Sequence, residues 1–161
     1  VNPLVQDLAA NPLLRRVLVG ALTLYGFICL SDPGAFRLPD AVNLAIHETG
    51  HTVFLPFGDF MHFLGGTLFQ IAFPLLFVAH FARRGDRYAA CVCCWWVAQS
   101  LWNVSVYMAD ARAQVLPLVG GGEHDWEYLL GTLNLLEHDI LLSRTVFVVG
   151  ILLFGWAMLQ A

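Results

Sequence analysis

His47-Glu48-Thr49-Gly50-His51 sets two imidazoles four residues apart, with a carboxylate directly after the first. Residues four apart share one face of a helix, so both rings can reach one metal ion, and Glu48 on the adjoining face can reach a water bound to it. Hydrolases built on H-E-x-x-H use zinc (Zn2+) to acidify that water and polarise a scissile carbonyl, with the Glu as general base. The chemically silent alternative is a helix that happens to carry two packed histidines. An ionisable triad in a segment as apolar as 41–57 is costly to keep without a partner or a task, which favours the metal.

Two histidines do not complete a catalytic zinc site, which takes three protein ligands plus water. His62, His80, Asp110, His124, Asp125, His138 and Asp139 remain as donors. His62 lies beyond Pro56 and Gly58, off the face that carries His47 and His51. His80 beside Arg83, and His138-Asp139 before the last apolar run, read as interfacial residues. Gly120-Gly121-Gly122 allows a tight turn that folds Glu123-His124-Asp125 back over the motif; acidic residues at a helix start also serve as ordinary caps. Asp110 ends an apolar segment with Arg112 two residues on, and pairing with that arginine is its simpler role. His124 and Asp125 therefore rank ahead as third ligand, with Asp110 in reserve.

The elements that must position these residues belong to a membrane protein. The 161 residues are 58% hydrophobic and 12% charged, with a mean hydropathy of +0.68. Soluble domains run at about 25% charged. All eight basic residues are arginines, and the net charge of −4 gives no reason to expect nucleic acid as a partner. We expect a single integral, multi-pass membrane domain over 1–161. Its fold class is all-α, a polytopic bundle of four to five hydrophobic helices with lipid around it.

Along the chain, a polar lead-in with Asn2-Pro3 and Asn11-Pro12 precedes a first apolar segment, 13–30, with Arg15-Arg16 at its foot. The motif segment, 40–57, starts with Asp40 as a plausible cap and stops at Pro56 and Gly58. Apolar segments 60–82 and 88–109 follow, joined by Arg83-Arg84-Gly85-Asp86-Arg87. An amphipathic helix over 124–136 and a last apolar segment, 145–160, complete the pattern. Cytoplasmic loops collect arginine, which would place Arg15-Arg16 and the Arg83/Arg84/Arg87 group on one side. Three full crossings between them would place them on opposite sides; a motif helix that is only partly inserted removes the conflict and admits water. Cys91, Cys93 and Cys94 match no metal or redox spacing and read, with Cys29, as small buried hydrophobes.

With these pieces in place, the chain resembles the site-2 protease class of intramembrane zinc metalloproteases. The specific match is His47-Glu48-Thr49-Gly50-His51, including the Gly before the second His. Gly65-Gly66-Thr67-Leu68-Phe69-Gln70 with Pro74 is similar to the family's small-residue, proline and amide motif. Leu116-Pro117-Leu118, Gly120–Gly122 and Asp125 resemble its late loop, where an Asp before a helix supplies the third ligand. The resemblance covers roughly 41–136 and implies peptide-bond hydrolysis in or near the bilayer, with Glu48 as base and a membrane protein as substrate. The late loop departs from the family's Asn-Pro-x-Asp-Gly, which keeps His124 beside Asp125 as a ligand. We expect no regulatory domain of the PDZ type to fit in these 161 residues, so the resemblance does not identify which membrane protein is the substrate. The competing function is an accessory subunit that presents a protease-like scaffold to partner subunits of a larger membrane complex. A metal carrier is the weaker third reading, because the first and last segments lack ligands along a path.

Overall fold

The computed structural model describes residues 11–118 and 122–161. The Asn2-Pro3 lead-in and Gly120-Gly121 lie outside the described residues, where all regular structure is helical. Helix α1 is Pro12–Ser31, α2 Leu38–Phe54, α3 Asp59–Arg83, α4 Arg87–Ala109, α5 Asp125–Thr132 and α6 Asp139–Gln160. Local chemistry sets the ends. Asn11 Oδ1 accepts the Leu13 amide at 2.9 Å and Pro12 opens α1, where a missing N–H is harmless. Asp40 sits one turn inside α2 rather than at its cap, and its Oδ2 accepts the Arg37 backbone N–H at 2.8 Å. A 3-10 turn over Leu55–Phe57 ends the motif helix at Gly58, whose φ of +88° suits glycine. Asp86 caps α4 through the Ala89 amide at 3.0 Å.

Two further boundaries differ from the sequence expectation. The helix expected over 124–136 stops at Thr132, because the chain turns through Asn134 with φ +56°. The last helix begins at Asp139, not at 145. Its polar start is satisfied internally: Ser143 donates to the Ser105 carbonyl at 2.8 Å, and Thr145 to the Leu141 carbonyl at 2.9 Å. Among the described residues, four helical stretches are long and apolar enough to cross a membrane: α1, α3, α4 and Leu136–Gln160, which contains α6.

Side-chain pairs fix how the helices run. Tyr88 at the foot of α4 donates to the Arg15 carbonyl at 3.4 Å and carries the Arg15 guanidinium over its ring, while Trp95 donates to the Leu22 carbonyl at 2.9 Å. Helices α1 and α4 are therefore parallel, and Arg15 lies at the same end as the Arg84–Tyr88 turn. Gln160 and Ala161 close that end beside them. Helix α3 returns antiparallel to α4. Helix α2 is antiparallel to α3, with His51 beside His62 and His47 beside Gln70. It is also parallel to α4, with Asp40 level with Gln99 and Asn103, and His47 level with Tyr107. The motif helix thus starts partway along the bundle and runs to the end opposite the arginine turn. The arginine groups share an end because α2 makes no return crossing.

Helix α4 is the most buried of the long helices. One core cluster joins Cys29, Trp95, Ala98, Trp102 and Phe154 across α1, α4 and α6. A second joins Val104, Met108, Ala111 and Leu130 beneath α5. Cys29, Cys91 and Cys94 are buried free thiols and Cys93 is half-buried.

Candidate metal centre

Close approach of α2 to α3 builds one wall of the site. A Cβ on Gly50 would overlap the Gly65 carbonyl, and one on Gly66 would fall 2.5 Å from His47 Nε2. The glycines are there so that the motif helix can lie against α3 with His47 seated over Gly66. His47 is buried and His51 half-buried, and their rings meet edge to face at 4.8 Å.

The third member arrives from α5. Asp125 is its first residue, where unpaired amide groups at a helix start favour a carboxylate. Its own N–H donates to the Tyr107 hydroxyl at 3.2 Å, which pins the start of α5 to α4. Asp125 Oδ2 lies 2.8 Å from His47 Nε2 and 3.2 Å from His51 Nε2. The donor atoms of His47, His51 and Asp125 all fall within 4.8 Å of one another. Burial pushes the Asp125 carboxyl up, yet the hydrogen bonds to His47 and His51 outweigh it and its pKa lies below the usual value. The backs of both rings are engaged. His51 Nδ1 faces the His62 backbone carbonyl at 2.8 Å, an oxygen that can only accept, so this nitrogen carries a hydrogen and Nε2 is the atom turned to Asp125, where a metal ion would take the place of the shared hydrogen. His47 Nδ1 lies 3.1 Å from Gln70 Oε1.

These donors suit zinc: two imidazole nitrogens, each braced from behind, and a carboxylate oxygen. Donors of a tetrahedral site stand roughly 3.3–3.6 Å apart when each is about 2.0–2.2 Å from the ion. The observed spacings of 2.8 and 3.2 Å are tighter. Seating an ion needs the carboxylate to draw back by roughly half an ångström, within reach of one side-chain torsion.

The other expected donors go elsewhere. His124 is 2% exposed and turns away from the group. Its Nδ1 accepts the Glu127 amide at 3.4 Å as the cap of α5, and its Nε2 stands 3.5 Å from Asp110 Oδ2. Burial lowers its pKa. Asp110 is not at the histidines either; its two oxygens accept the Val115 and Leu116 amides at 2.9 and 3.0 Å, folding the 110–118 loop. The expected Asp110–Arg112 pair does not form. Arg112 instead makes a two-pronged contact with Asp139 at 2.7 and 2.8 Å, because Asp110 is already held by backbone amides and Asp139 offers a matching fork. Asp139 is therefore a buried ion-pair partner at 1% exposure.

A half-open cleft of ≈ 760 Å³ reaches the group. Glu48, Phe63, Tyr107, Pro117 and Glu123 are among its lining residues, and Glu48 is exposed there. His62 and Tyr107 are the site neighbours that sequence spacing passed over. His62 Nδ1 lies 3.0 Å from the His51 carbonyl, so the two histidines brace each other across the α2–α3 turn. Gln70, an amide in the middle of an apolar helix, belongs to the motif quoted from the sequence, and its place behind His47 is what the structure adds. No family model, curated protein or solved structure matches the chain.

Proposed function

We propose that the chain is a multi-pass membrane protein in which His47, His51 and Asp125 hold a zinc ion and Glu48 serves the hydrolysis of a peptide bond in a membrane-embedded substrate. The observation that carries the reading is the convergence of two imidazole nitrogens and one carboxylate, from two helices far apart in sequence, at the wall of a cleft. Ionisable groups placed together among apolar helices need a partner, and a divalent cation supplies one. When bound, zinc provides Lewis acidity and a water that loses its proton near neutral pH.

The chain's own residues supply the rest. His47 and His51 offer Nε2, and Asp125 offers Oδ2 as the negative donor. Glu48 stands next to His47 but outside the donor group, free to take a proton from the attacking water and pass it to the departing amine as the C–N bond breaks. The Tyr107 hydroxyl accepts the Asp125 amide and keeps its own hydrogen for a cleft ligand. Phe63 and Pro117 give the cleft apolar surface suited to side chains drawn from lipid.

Metal analysis of the purified protein tests this. About one zinc per chain is expected, with loss in His47→Ala, His51→Ala and Asp125→Ala. Glu48→Gln should keep the metal while hydrolysis of a reconstituted transmembrane peptide falls by about 10²–10⁴-fold. Release of zinc from Glu48→Gln as complete as from the histidine variants would make Glu48 a ligand and overturn its assigned role. Zinc retention with no hydrolysis by the unmodified chain would move the reading to an accessory subunit.

A further inference from the structure

Gln70, which backs His47, is one link of a buried hydrogen-bond chain across α2, α3 and α4, and that chain has only one workable polarity. Two of its members cannot change role. The Trp96 indole N–H only donates, and it donates to Asn43 Oδ1 at 2.9 Å. Asp40 only accepts: Oδ2 takes the Arg37 backbone N–H at 2.8 Å, while Oδ1 takes Gln99 Nε2 at 2.7 Å and Asn103 Nδ2 at 3.1 Å.

The amides between these anchors follow. Asn43, its oxygen facing the indole, donates Nδ2 to Gln99 Oε1 at 2.6 Å, which leaves Gln99 Nε2 for Asp40. On the other arm Asn103 directs Nδ2 at Asp40, so its Oδ1 accepts Gln70 Nε2 at 2.9 Å. Gln70 then has only Oε1 to show His47. A carbonyl oxygen cannot donate, so His47 Nδ1 must carry the hydrogen. Turning Gln70 over would set its oxygen against that of Asn103, and turning Asn103 over would set its oxygen against Asp40. Gln70 is 2% exposed and Asn103 half-buried at the cleft wall, and either turn would set two oxygens face to face at hydrogen-bond distance.

We infer that Asp40 and Asn103 are positioning residues for His47: acting through Gln70, they hold the hydrogen on Nδ1 and keep Nε2, the atom facing Asp125, available to a metal. The use of this relay rests on the zinc reading; its polarity does not.

The experiment takes the full chain, Asn103→Leu, and Asn103→Leu with Gln70→Glu. Leucine at 103 removes the lock and lets Gln70 present either end. A carboxylate at 70 accepts from Nδ1 whatever Asn103 does, so it should restore the lock directly. Zinc affinity by chelator competition should fall about 10–100-fold in the single variant and recover most of that loss in the double. In nitrogen-15 spectra of metal-free, histidine-labelled protein, the His47 Nδ1–H signal should be present, weaken in the single variant and return in the double. Wild-type affinity in Asn103→Leu, no recovery in the double, or a His47 Nδ1 without hydrogen in the unmodified chain would each overturn the inference. Failure of the unmodified chain to bind zinc would sink the proposed function alone, because the metal-free spectra still judge the relay.

Discussion

Two neighbours, His124 and Asp125, divide labour by the direction in which α5 begins. Asp125 at the first helical position faces the motif histidines, while His124 before it faces Asp110 and caps the helix. Asp125→Asn should abolish stoichiometric zinc, since the site loses its only negative donor. His124→Asn should keep it, because asparagine is a good cap and the imidazole touches no donor of the group. Metal content of the two purified variants checks this; zinc lost from His124→Asn and kept in Asp125→Asn would reverse the assignment. The motif histidines were legible from their spacing alone. The choice between 124 and 125 was not, because adjacent residues at a helix start diverge by about 100° and only the packing of α5 says which one turns inward.

At the scale of elements, the site depends on how closely α2 and α3 approach. Gly66→Ala would put a methyl carbon 2.5 Å from His47 Nε2. It should weaken zinc binding sharply and destabilise the protein by about 1–3 kcal/mol, as overpacking does. Gly20→Ala, with nothing within 4 Å of its added carbon, should leave both unchanged or stabilise slightly. Chelator competition and thermal unfolding of the two variants separate the cases. Most helices were readable from apolar runs and their Pro, Gly and Asp stops, as with Gly58 and Asp86. What the runs hid was the use of polar residues inside them. Asn43, Gln70, Gln99 and Asn103 each look like a defect in an apolar helix, and only assembly shows that they satisfy one another. Arg112 was misassigned for the same reason: its true partner, Asp139, lies beyond the whole of α5.

On the scale of the whole molecule, Arg15 and the Arg84–Tyr88 turn share one end, and the metal group lies toward the other. For a chain that crosses the membrane, the arginine-rich end belongs in the cytoplasm and the cleft opens toward the opposite face. A membrane-impermeant maleimide should label Val115→Cys on intact cells and Gln160→Cys only after permeabilisation; the reverse pattern would invert the orientation. The polar contacts of α2 also bear on how the chain is made. Asn43 finds its amide partner 56 residues later and His47 its carboxylate 78 residues later. During synthesis α2 emerges well before the residues that make its polar groups tolerable in lipid, and it is not among the stretches both long and apolar enough to cross a membrane. In a membrane, we expect α2 to wait at the surface until α4 and α5 have followed and to join the bundle last. Nascent chains arrested before Gln99 should therefore leave α2 open to protease, and chains extended past α5 should protect it.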